Sequence, residues 1–407
     1  MYKRIVISGW GIVSPFGLSN QDFESNFDNK LAYSKKEDWE LEHLGPHYFG
    51  AIPEFDILKQ IDSLRPPFPN RYSSIGLLAC MNALKDAGLA EDIELTQKAG
   101  LVITTTLGAS TAIQSYLSKL YKKGPDRVSP FNFSKATSNS ILGDISRILG
   151  LKGPGSLVYG EESVIYGVDL INNDHTDIVL CGGVDEITEL NVLLADKKAR
   201  LVSPNGTATY EHLINDTQKD QSIFSEAASF VVIESLESAK KRGAKIYAEI
   251  VDYKQFRDQR SSKVIFERCT DSLRHNLNEL LNENQIKDKD PLLFYGSACL
   301  PWHIQSYEWK ALSKLSFEFT YGNVKASIGE GLSGSNNCTL VSTLLAHTKG
   351  RLANVLKEAV VLGEPPKNIC LVPFNPKEEF TSITHTFSVG GSNTLLMLKS
   401  MRNDQRS

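Results

Sequence analysis

The feature of this 407-residue chain that most limits its fold is an alternation of short apolar segments with longer segments of helical periodicity. Residues 4–13 and 99–108 are rich in β-branched and apolar side chains, as buried strands are. Residues 71–89 and 110–123 carry apolar side chains at helical spacing, and Gly88 provides a helix stop signal. Strands that alternate with helices favour a mostly parallel sheet, so the pattern predicts an α/β fold.

The same alternation begins again near residue 244. The predicted elements there follow in a similar order: strands at 244–256 and 290–298, and helices at 266–283 and 336–352. We therefore expect a duplicated α/β unit, with an N-terminal half over residues 1–243 and a C-terminal half over residues 244–407, packed as one compact unit. The polar stretches 19–70 and 189–227 are predicted to be irregular surface insertions.

Charge and cysteine usage argue against several classes of protein. The formal net charge is -4 and no lysine or arginine stripe is visible, so we expect no nucleic-acid partner. The six cysteines lie far apart without a CxxC pair, which argues against a zinc site or a disulfide framework and favours a reducing cytoplasm. No run of about 18 apolar residues occurs, so we expect no membrane span. We also expect no metal and no cofactor.

A glycine-spaced segment in the second half poses the main functional question. Residues 324–337, "VKASIGEGLSGSNN", are predicted to form a loop with one carboxylate, Glu330, at its centre. Loops of this composition often hold a reactive group close to a backbone turn. Glu330 is therefore either a reactive group or a sign that chemistry has been removed from this place.

Six segments resemble the β-ketoacyl synthase family, and they occur in that family's order and at its approximate distances. The segments are "RIVISGWGIVSPFG" (4–17), "LGLKGPGS" (149–156), "DIVLCGGVDEIT" (177–188), "FSEAASFVVIE" (224–234), "RGAKIYAEI" (242–250) and "HTFSVGGSNTLL" (385–396). The resemblance covers nearly the whole chain. It implies a thiolase-like, five-layer αβαβα fold from two duplicated α/β halves, usually assembled as a dimer.

The resemblance also implies where the catalytic residues of the family would lie. A working ketosynthase carries the acyl group on a cysteine at the start of a helix, and two histidines decarboxylate the malonyl unit and stabilise the enolate. Carried over by position, the cysteine is replaced by Glu162 or by its neighbour Glu161. Tyr295 and Glu330 replace the two histidines, and a lysine of the family is retained as Lys325.

These replacements disfavour ketosynthase chemistry, because an ionised Glu330 would repel an enolate by about 4 kcal/mol at ~4 Å and an effective dielectric near ~20. We expect no catalytic residue, with Lys325 and Glu330 as a structural ion pair.

Two alternatives stay open. Glu162, Tyr295 or Glu330 forms a new acid–base site for an acyl thioester, or Cys181 acts as the nucleophile, although its place in a predicted strand favours a buried core residue.

Within the resemblance, a catalytically empty subunit is typical of the chain-length factors of type II polyketide synthases. Such a factor forms a heterodimer with an active ketosynthase, meets the acyl carrier protein through that complex, and closes part of the acyl tunnel of its partner. The lysine-, asparagine- and serine-rich composition resembles the factors of bacterial aryl-polyene pathways. We therefore expect a non-catalytic chain-length factor.

Four positions carry over to the tunnel and its entrance. Ser110, Ile113 and Leu117 lie at i, i+3 and i+7 of one predicted helix and would gate the shared tunnel. For Ile113 and Leu117 an ordinary role as core residues is an equally good interpretation. Val389 stands where the family usually has a phenylalanine that gates the entrance of the active site. The predicted strand at 156–160 would pair with the partner subunit.

Overall fold

The computed structural model describes residues 2–28, 32, 34–36, 47–160, 163–199, 223–258, 268–299, 304–353, 364–371, 379–388 and 390–401. Eleven strands of this described part form one mixed sheet, and two short strands form a separate one. The strands are β1 Ile5–Val13, β2 Ser34–Lys36, β3 His47–Phe49, β4 Gly100–Thr105, β5 Gly155–Tyr159, β6 Ile178–Asp185, β7 Ala227–Ser235, β8 Ala248–Arg257, β9 Leu292–Tyr295, β10 Phe319–Gly322, β11 Ile369–Cys370, β12 Thr381–Phe387 and β13 Ser392–Ser400.

Helices cover both faces of the large sheet. They are α1 Asn20–Asn26, α2 Ile57–Gln60, α3 Arg71–Asp86, α4 Ile93–Lys98, α5 Ser110–Lys123, α6 Pro130–Lys135, α7 Ser140–Leu149, α8 Ser163–Asn172, α9 Glu189–Ala199, α10 Leu236–Lys241, α11 Thr270–Glu283, α12 Lys310–Leu312, α13 Lys325–Ile328 and α14 Leu332–Lys349. A short 3-10 turn at Pro125–Arg127 follows α5, and a π-helical turn at Ile304–Trp309 precedes α12.

The strand order repeats within the sheet, as expected for a duplicated unit. The order is β11-β10-β9-β12-β13-β8-β1-β7-β6-β4-β5. In the N-terminal half, β1 pairs antiparallel with β7 and β7 pairs antiparallel with β6, whereas β6 pairs parallel with β4 and β4 pairs parallel with β5. In the C-terminal half, β8 pairs antiparallel with β13 and β13 pairs antiparallel with β12, whereas β12 pairs parallel with β9 and β9 pairs parallel with β10. The two successions meet where β1 and β8 pair over three residues, Ile5 to Ile7.

The three largest apolar clusters, or cores, of the described residues lie among five layers of structure, and the middle core encloses the central helix layer. The first core lies between the N-terminal strands and the outer helices α3 and α7. The second core lies between the N-terminal and the C-terminal strands, where α8 and α14 are packed. The third core lies between the C-terminal strands and the outer helices α11 and α12. The predicted thiolase-like αβαβα fold is confirmed.

Helix α14 is the main element of the middle layer, and its small polar side chains explain how it fits there. Residues 332–347 are buried throughout. Their hydroxyls donate to carbonyls one turn earlier, as Ser342 does to the carbonyl oxygen of Cys338 at 2.9 Å, so the helix satisfies its own polar groups. Gly334 permits close approach to β7, because a Cβ atom there would lie 2.0 Å from the carbonyl oxygen of Ala227.

Three expectations about irregular segments are wrong. The stretch 19–70 contains α1, β2, β3 and α2, and the stretch 189–227 begins with α9. The segment 324–337 is helical on both sides, so only residues 329–331 connect α13 to α14. Strand β10 was not predicted either. The glycine, serine and asparagine residues after 330 have the composition of a loop, but tertiary packing between the N-terminal and the C-terminal strands overrides that local preference.

We expect Gly334→Ala to destabilise the protein by about 1–3 kcal/mol, because the new methyl group meets main-chain atoms that cannot move without separating α14 from β7. Gly143→Ala in the interior of α7 is the matched control, since nothing lies within 4 Å of its Cβ position. That control should stabilise the protein by about 0.5–1 kcal/mol. Urea unfolding measures both changes, and equal small changes would contradict the close contact.

Candidate functional site

Lys325 and Glu330 form a buried ion pair beside the amino end of α14. Lys325 begins α13, and Glu330 lies in the short connection that leads to α14. Nζ of Lys325 donates to both carboxylate oxygens of Glu330, at 3.0 and 3.2 Å. Both side chains are buried, with exposures of 0% and 2%. The predicted ion pair is therefore present, and it is shielded from water.

Neighbouring groups complete the hydrogen bonding of this pair. Nζ of Lys325 also donates to Oδ1 of Asn336 at 2.6 Å, so three acceptor atoms meet its three protons. Oε1 of Glu330 accepts from the main-chain nitrogen of Leu332 at 2.9 Å and from the hydroxyl of Ser335 at 3.2 Å. Leu332 begins α14, which has no side-chain cap at its N-cap residue, so Glu330 takes that role.

Main-chain hydrogen bonds fix the position of Glu330 as firmly as its side chain does. Its nitrogen donates to the carbonyl oxygen of Ile223 at 2.8 Å, and its carbonyl oxygen accepts from the nitrogen of Ser225 at 3.1 Å. The segment that precedes β7 is thereby bound to the start of α14. Glu330 is a fixed acceptor of hydrogen bonds in this arrangement, which differs from a mobile imidazole that donates them.

Tyr295 lies deeper along α14 than the ion pair. Its hydroxyl accepts from the nitrogen of Ala353 at 2.9 Å. Burial raises the pKa of Tyr295, and hydrogen bonds with Ala353 and Ser342 lower it by less. Ser342 follows Asn336, the partner of Lys325, by six residues, which is about 9 Å along a helix. The structure therefore does not bring Tyr295 into one hydrogen-bonded group with the ion pair, as a shared acid–base site would require.

The position of the expected cysteine lies at the turn between β5 and α8. Glu161 and Glu162 are outside the described residues, as is Val389, so the predictions for these three positions stay predictions. The described side of the turn is held in place: the hydroxyl of Ser333 in α14 donates to the carbonyl oxygen of Gly160 at 3.0 Å. The start of α8 and the start of α14 therefore lie close together.

Three buried cysteines of the chain, Cys80, Cys181 and Cys338, are poorly suited to nucleophilic chemistry. Cys181 lies in β6 with its thiol in the middle core, and burial raises its pKa well above the usual value. Burial also raises the pKa of Cys80, and it raises that of Cys338 to about 12. Since the thiolate is the nucleophile, these buried thiols are inert at neutral pH. This argues against Cys181 as a displaced nucleophile.

Helix α5 has the predicted bounds and carries the three predicted tunnel residues from the core out to the surface. Ser110 is 8% exposed, Ile113 is partly buried, and Leu117 is 52% exposed. Leu117 is therefore not a core residue of this chain, whereas Ile113 keeps both interpretations. Tyr121 near the end of the helix is also exposed. This end of α5 offers apolar surface that a partner chain could cover.

Two acidic residues at the end of β6, Asp185 and Glu186, were missed in the sequence. Asp185 accepts from the main-chain nitrogens of Thr106 and Leu107, at 3.0 and 2.7 Å, and from that of Ser333 at 2.9 Å. Burial raises the pKa of Asp185 to about 6 and that of Glu186 to about 7. The signal in the sequence was the pair of carboxylates directly after the apolar run of "DIVLCGGVDEI", where a buried strand ends.

A buried histidine was also missed, and it lies in the outer C-terminal core. Nδ1 of His385 is 3.1 Å from Oε1 of Glu308, and its Nε2 is 3.1 Å from Oδ1 of Asn393. Burial would raise the pKa of Glu308, but hydrogen bonds from His385, Tyr321 and the main chain outweigh it, so the pKa is lowered. The network adjoins the ion-pair site, because the amide of Ser297 donates to Oε1 of Glu308 at 2.8 Å and its hydroxyl donates to Oδ1 of Asn336 at 3.3 Å.

The fold and the site together define a thiolase-like α/β protein whose central helix begins at a buried lysine–glutamate pair. The chain belongs to the β-ketoacyl synthase family, because the family model for the N-terminal domain of β-ketoacyl synthases matches residues 2–239. A curated relative is 3-oxoacyl-[acyl-carrier-protein] synthase 2 of Staphylococcus aureus (strain COL), which is 29% identical over 260 residues. That match spans 62% of this chain and 62% of the relative.

Two solved structures resemble the whole chain. One is described as the ishigamide ketosynthase/chain length factor, with a TM-score of 0.79, 20% identity and coverage of 98% of this chain and 100% of that one. The other is a type II PKS acyl-carrier protein in complex with its ketosynthase bound to the hexaketide (AntDE:AntF, apo), with a TM-score of 0.75, 17% identity and coverage of 98% and 100%. At these identities the likeness establishes the fold.

Among the described residues, no helix combines the length and apolar character needed to cross a bilayer. Within the same residues, no group of three or more histidine, cysteine, aspartate or glutamate side chains is arranged to hold a metal ion.

We expect Glu330→Gln to lower the free energy of unfolding by about 3 kcal/mol, because Lys325 would remain buried without its counter-charge. The double variant Lys325→Met/Glu330→Gln should lose less than the single one, since no unpaired charge remains. Glu94→Gln is the control, because its partner Lys98 is in an exposed i,i+4 pair whose loss should cost less than about 0.5 kcal/mol. Chemical denaturation of the three variants measures these differences, and equal losses for Glu330→Gln and Glu94→Gln would refute the role of the buried pair.

Proposed function

We propose that this chain is a non-catalytic, ketosynthase-like chain-length factor that forms a heterodimer with an active β-ketoacyl synthase and shapes the acyl tunnel of that partner. The observation that carries the proposal is the pair of Lys325 and Glu330. A buried carboxylate is bound by a lysine and by the first amide of α14, and we infer from the sequence resemblance that it replaces the second histidine of the family. An ionised carboxylate only accepts hydrogen bonds, so Glu330 has no proton to offer an enolate oxygen.

The electrostatics of this arrangement support the absence of condensation chemistry. An enolate at ~4 Å from the carboxylate would be repelled by about 4 kcal/mol at an effective dielectric near ~20, which is roughly a thousandfold in rate. The thiol of Cys181 is enclosed in the middle core. Tyr295 and Glu330 lie in separate hydrogen-bonded groups, which disfavours an acid–base site shared by these two residues; the alternative function through Glu162, Tyr295 or Glu330 singly stays a prediction.

The exposed end of the sheet supports the assignment of a partner chain. Among the described strands of the large sheet, β5 lies at one end, where its outer edge is available for pairing with another chain. Tyr159 on β5 is 66% exposed. Tyr121, Phe131 and Phe133 of the neighbouring α5 and α6 region are exposed as well. A strand edge bordered by apolar side chains is a suitable surface for a stable heterodimer.

The identity of the other components follows from the same proposal. One relative is described as a ketosynthase/chain length factor and another as a ketosynthase in complex with an acyl-carrier protein. We infer by analogy that an active ketosynthase is the direct partner here and that an acyl carrier protein is reached through the complex. A bacterial aryl-polyene pathway is proposed from composition, and a cytoplasmic location from the cysteine pattern. The boundary of the two halves between residues 243 and 244 also stays a prediction.

We expect Leu117→Trp to shorten the products of the complex, because a larger side chain on the tunnel face of α5 would fill space that the growing acyl chain uses. The chain is co-expressed with an active ketosynthase of the same organism, and the products are sized by mass spectrometry. Lys119→Trp is the matched control, since residue 119 is exposed on a different side of the same helix. Unchanged products from the Leu117 variant, or full-length products without this chain, would contradict the proposal.

A further inference from the structure

The helix that carries the proposed tunnel residues does not cap its own amino end. The N-cap residue of α5 is Ala109, which has no side chain that accepts a hydrogen bond. The second amide of the helix, that of Thr111, nevertheless has a partner: it donates to Oε1 of Glu186 at 2.7 Å. Glu186 comes from the segment after β6, so the cap is supplied by a residue 75 positions away in the chain.

The neighbouring carboxylate holds the connection that leads into the same helix. Asp185 accepts from the hydroxyl of Thr105 at 2.9 Å and from the amide of Leu107 at 2.7 Å. Two consecutive acidic residues therefore fix both the β4–α5 connection and the first turn of α5. Asp185 also accepts from the amide of Ser333, which ties this anchor to the start of α14.

The remainder of α5 has little contact with the body of the protein. Of its fourteen residues, Ser110 alone is buried. Leu117 lies seven residues further on, about 10 Å from the anchored end. A rotation of about 10° at the anchor would move Leu117 by roughly 2 Å, since displacement grows with distance along the helix. The direction of α5 thus depends on its amino end.

The surroundings of Glu186 disfavour the ionised form of its carboxyl group, because the group is removed from water. Glu186 is 1% exposed, and its Oε2 atom is buried without a hydrogen-bond partner among the described residues. Burial raises the pKa of Glu186 from 4.5 to about 7. The charged groups that face it are Arg71 of α3 and Glu226 before β7, together with its chain neighbour Asp185. A proton on Oε2 relieves the buried charge while Oε1 continues to accept from Thr111.

We propose that Glu186 is a positioning residue, a remote N-cap that sets the direction of α5 and thereby the depth of the acyl channel that Ser110, Ile113 and Leu117 line. The first part, the remote cap, stands on the geometry of this chain. The second part, the channel depth, rests on the proposed function as a chain-length factor. Glu186 touches no reacting atom in this account and acts only through the helix.

Hydrogen–deuterium exchange in the full-length protein tests the remote cap directly. Glu186→Ala should speed exchange in the first two turns of α5 at least fivefold, the equivalent of losing one N-cap. Glu186→Gln retains an acceptor oxygen and should exchange like the original protein near pH 4.5, where Glu186 is protonated. In the Glu186→Ala background, Ala109→Ser should restore protection by supplying a local cap. Asp92→Ala, which removes the side-chain cap of α4, is the control and should leave α5 unchanged.

A pH series separates this role from a purely structural one. The pKa of Glu186 is higher in the capped state than in the open one, so the stability of the cap is fully present below pH 4.5 and is lost as the pH rises through about 7. Protection of α5, corrected for intrinsic exchange, should therefore fall between pH 4.5 and about 7 in the original protein. Glu186→Gln cannot ionise at this position, so its fall should be smaller and limited to the contribution of Asp185, whose pKa burial raises to about 6.

The outcomes distinguish the cap from the proposed function. Unchanged exchange in Glu186→Ala, or a failure of Ala109→Ser to restore it, overturns the remote cap whatever the products are. Altered exchange together with altered product lengths in the complex with an active ketosynthase supports both parts. Altered exchange with unaltered products overturns the link to channel depth and counts against the chain-length role, while the cap itself stands.

Discussion

The buried contact of Lys325 with Glu330 is the interaction on which the middle layer of this fold depends. It lies where α13, α14 and the segment before β7 meet, and the first amide of α14 is bound to the same carboxylate. Removing two charges from water costs several kcal/mol for each ion, so the pair persists only because amides and polar side chains surround it. A neutral side chain at 330 would leave Lys325 buried without a counter-charge. The ion pair is therefore part of the packing of the helix.

The same helix connects the ion-pair site to the proposed tunnel wall. Ser333, in the first turn of α14, is bound through its amide to Asp185 and through its hydroxyl to Gly160 at the turn before α8. Asp185 in turn holds the connection into α5. The turn before α8, the start of α14 and the start of α5 thus form one hydrogen-bonded assembly. In the proposed function, main-chain amides hold the tunnel wall in place, so its position does not depend on catalytic side chains.

Much of the fold was predictable because the spacing of apolar residues along the sequence indicates which segments form helices and which form strands. Helix α5 has the bounds that apolar spacing predicted, and the strands of both halves lie within a few residues of the apolar runs. The start of α14 was not predictable, because its serines and asparagines are buried by contacts distant in the chain. The ion pair followed from residue types at short spacing, whereas the binding of Glu186 to Thr111 joins residues 75 positions apart and has no local signal. The predictions for Glu162 and Val389 stay predictions.

The central claim is that this chain shapes a cavity without joining carbon to carbon itself. Intact-protein mass spectrometry tests it most directly, with the purified chain, the active ketosynthase and their complex each incubated with acyl-loaded and malonyl-loaded carrier protein. The account predicts that acyl mass appears on the ketosynthase alone and that elongated product forms only when the ketosynthase is present. A stable acyl adduct on this chain, followed by extension of that acyl group in the absence of the ketosynthase, would contradict it.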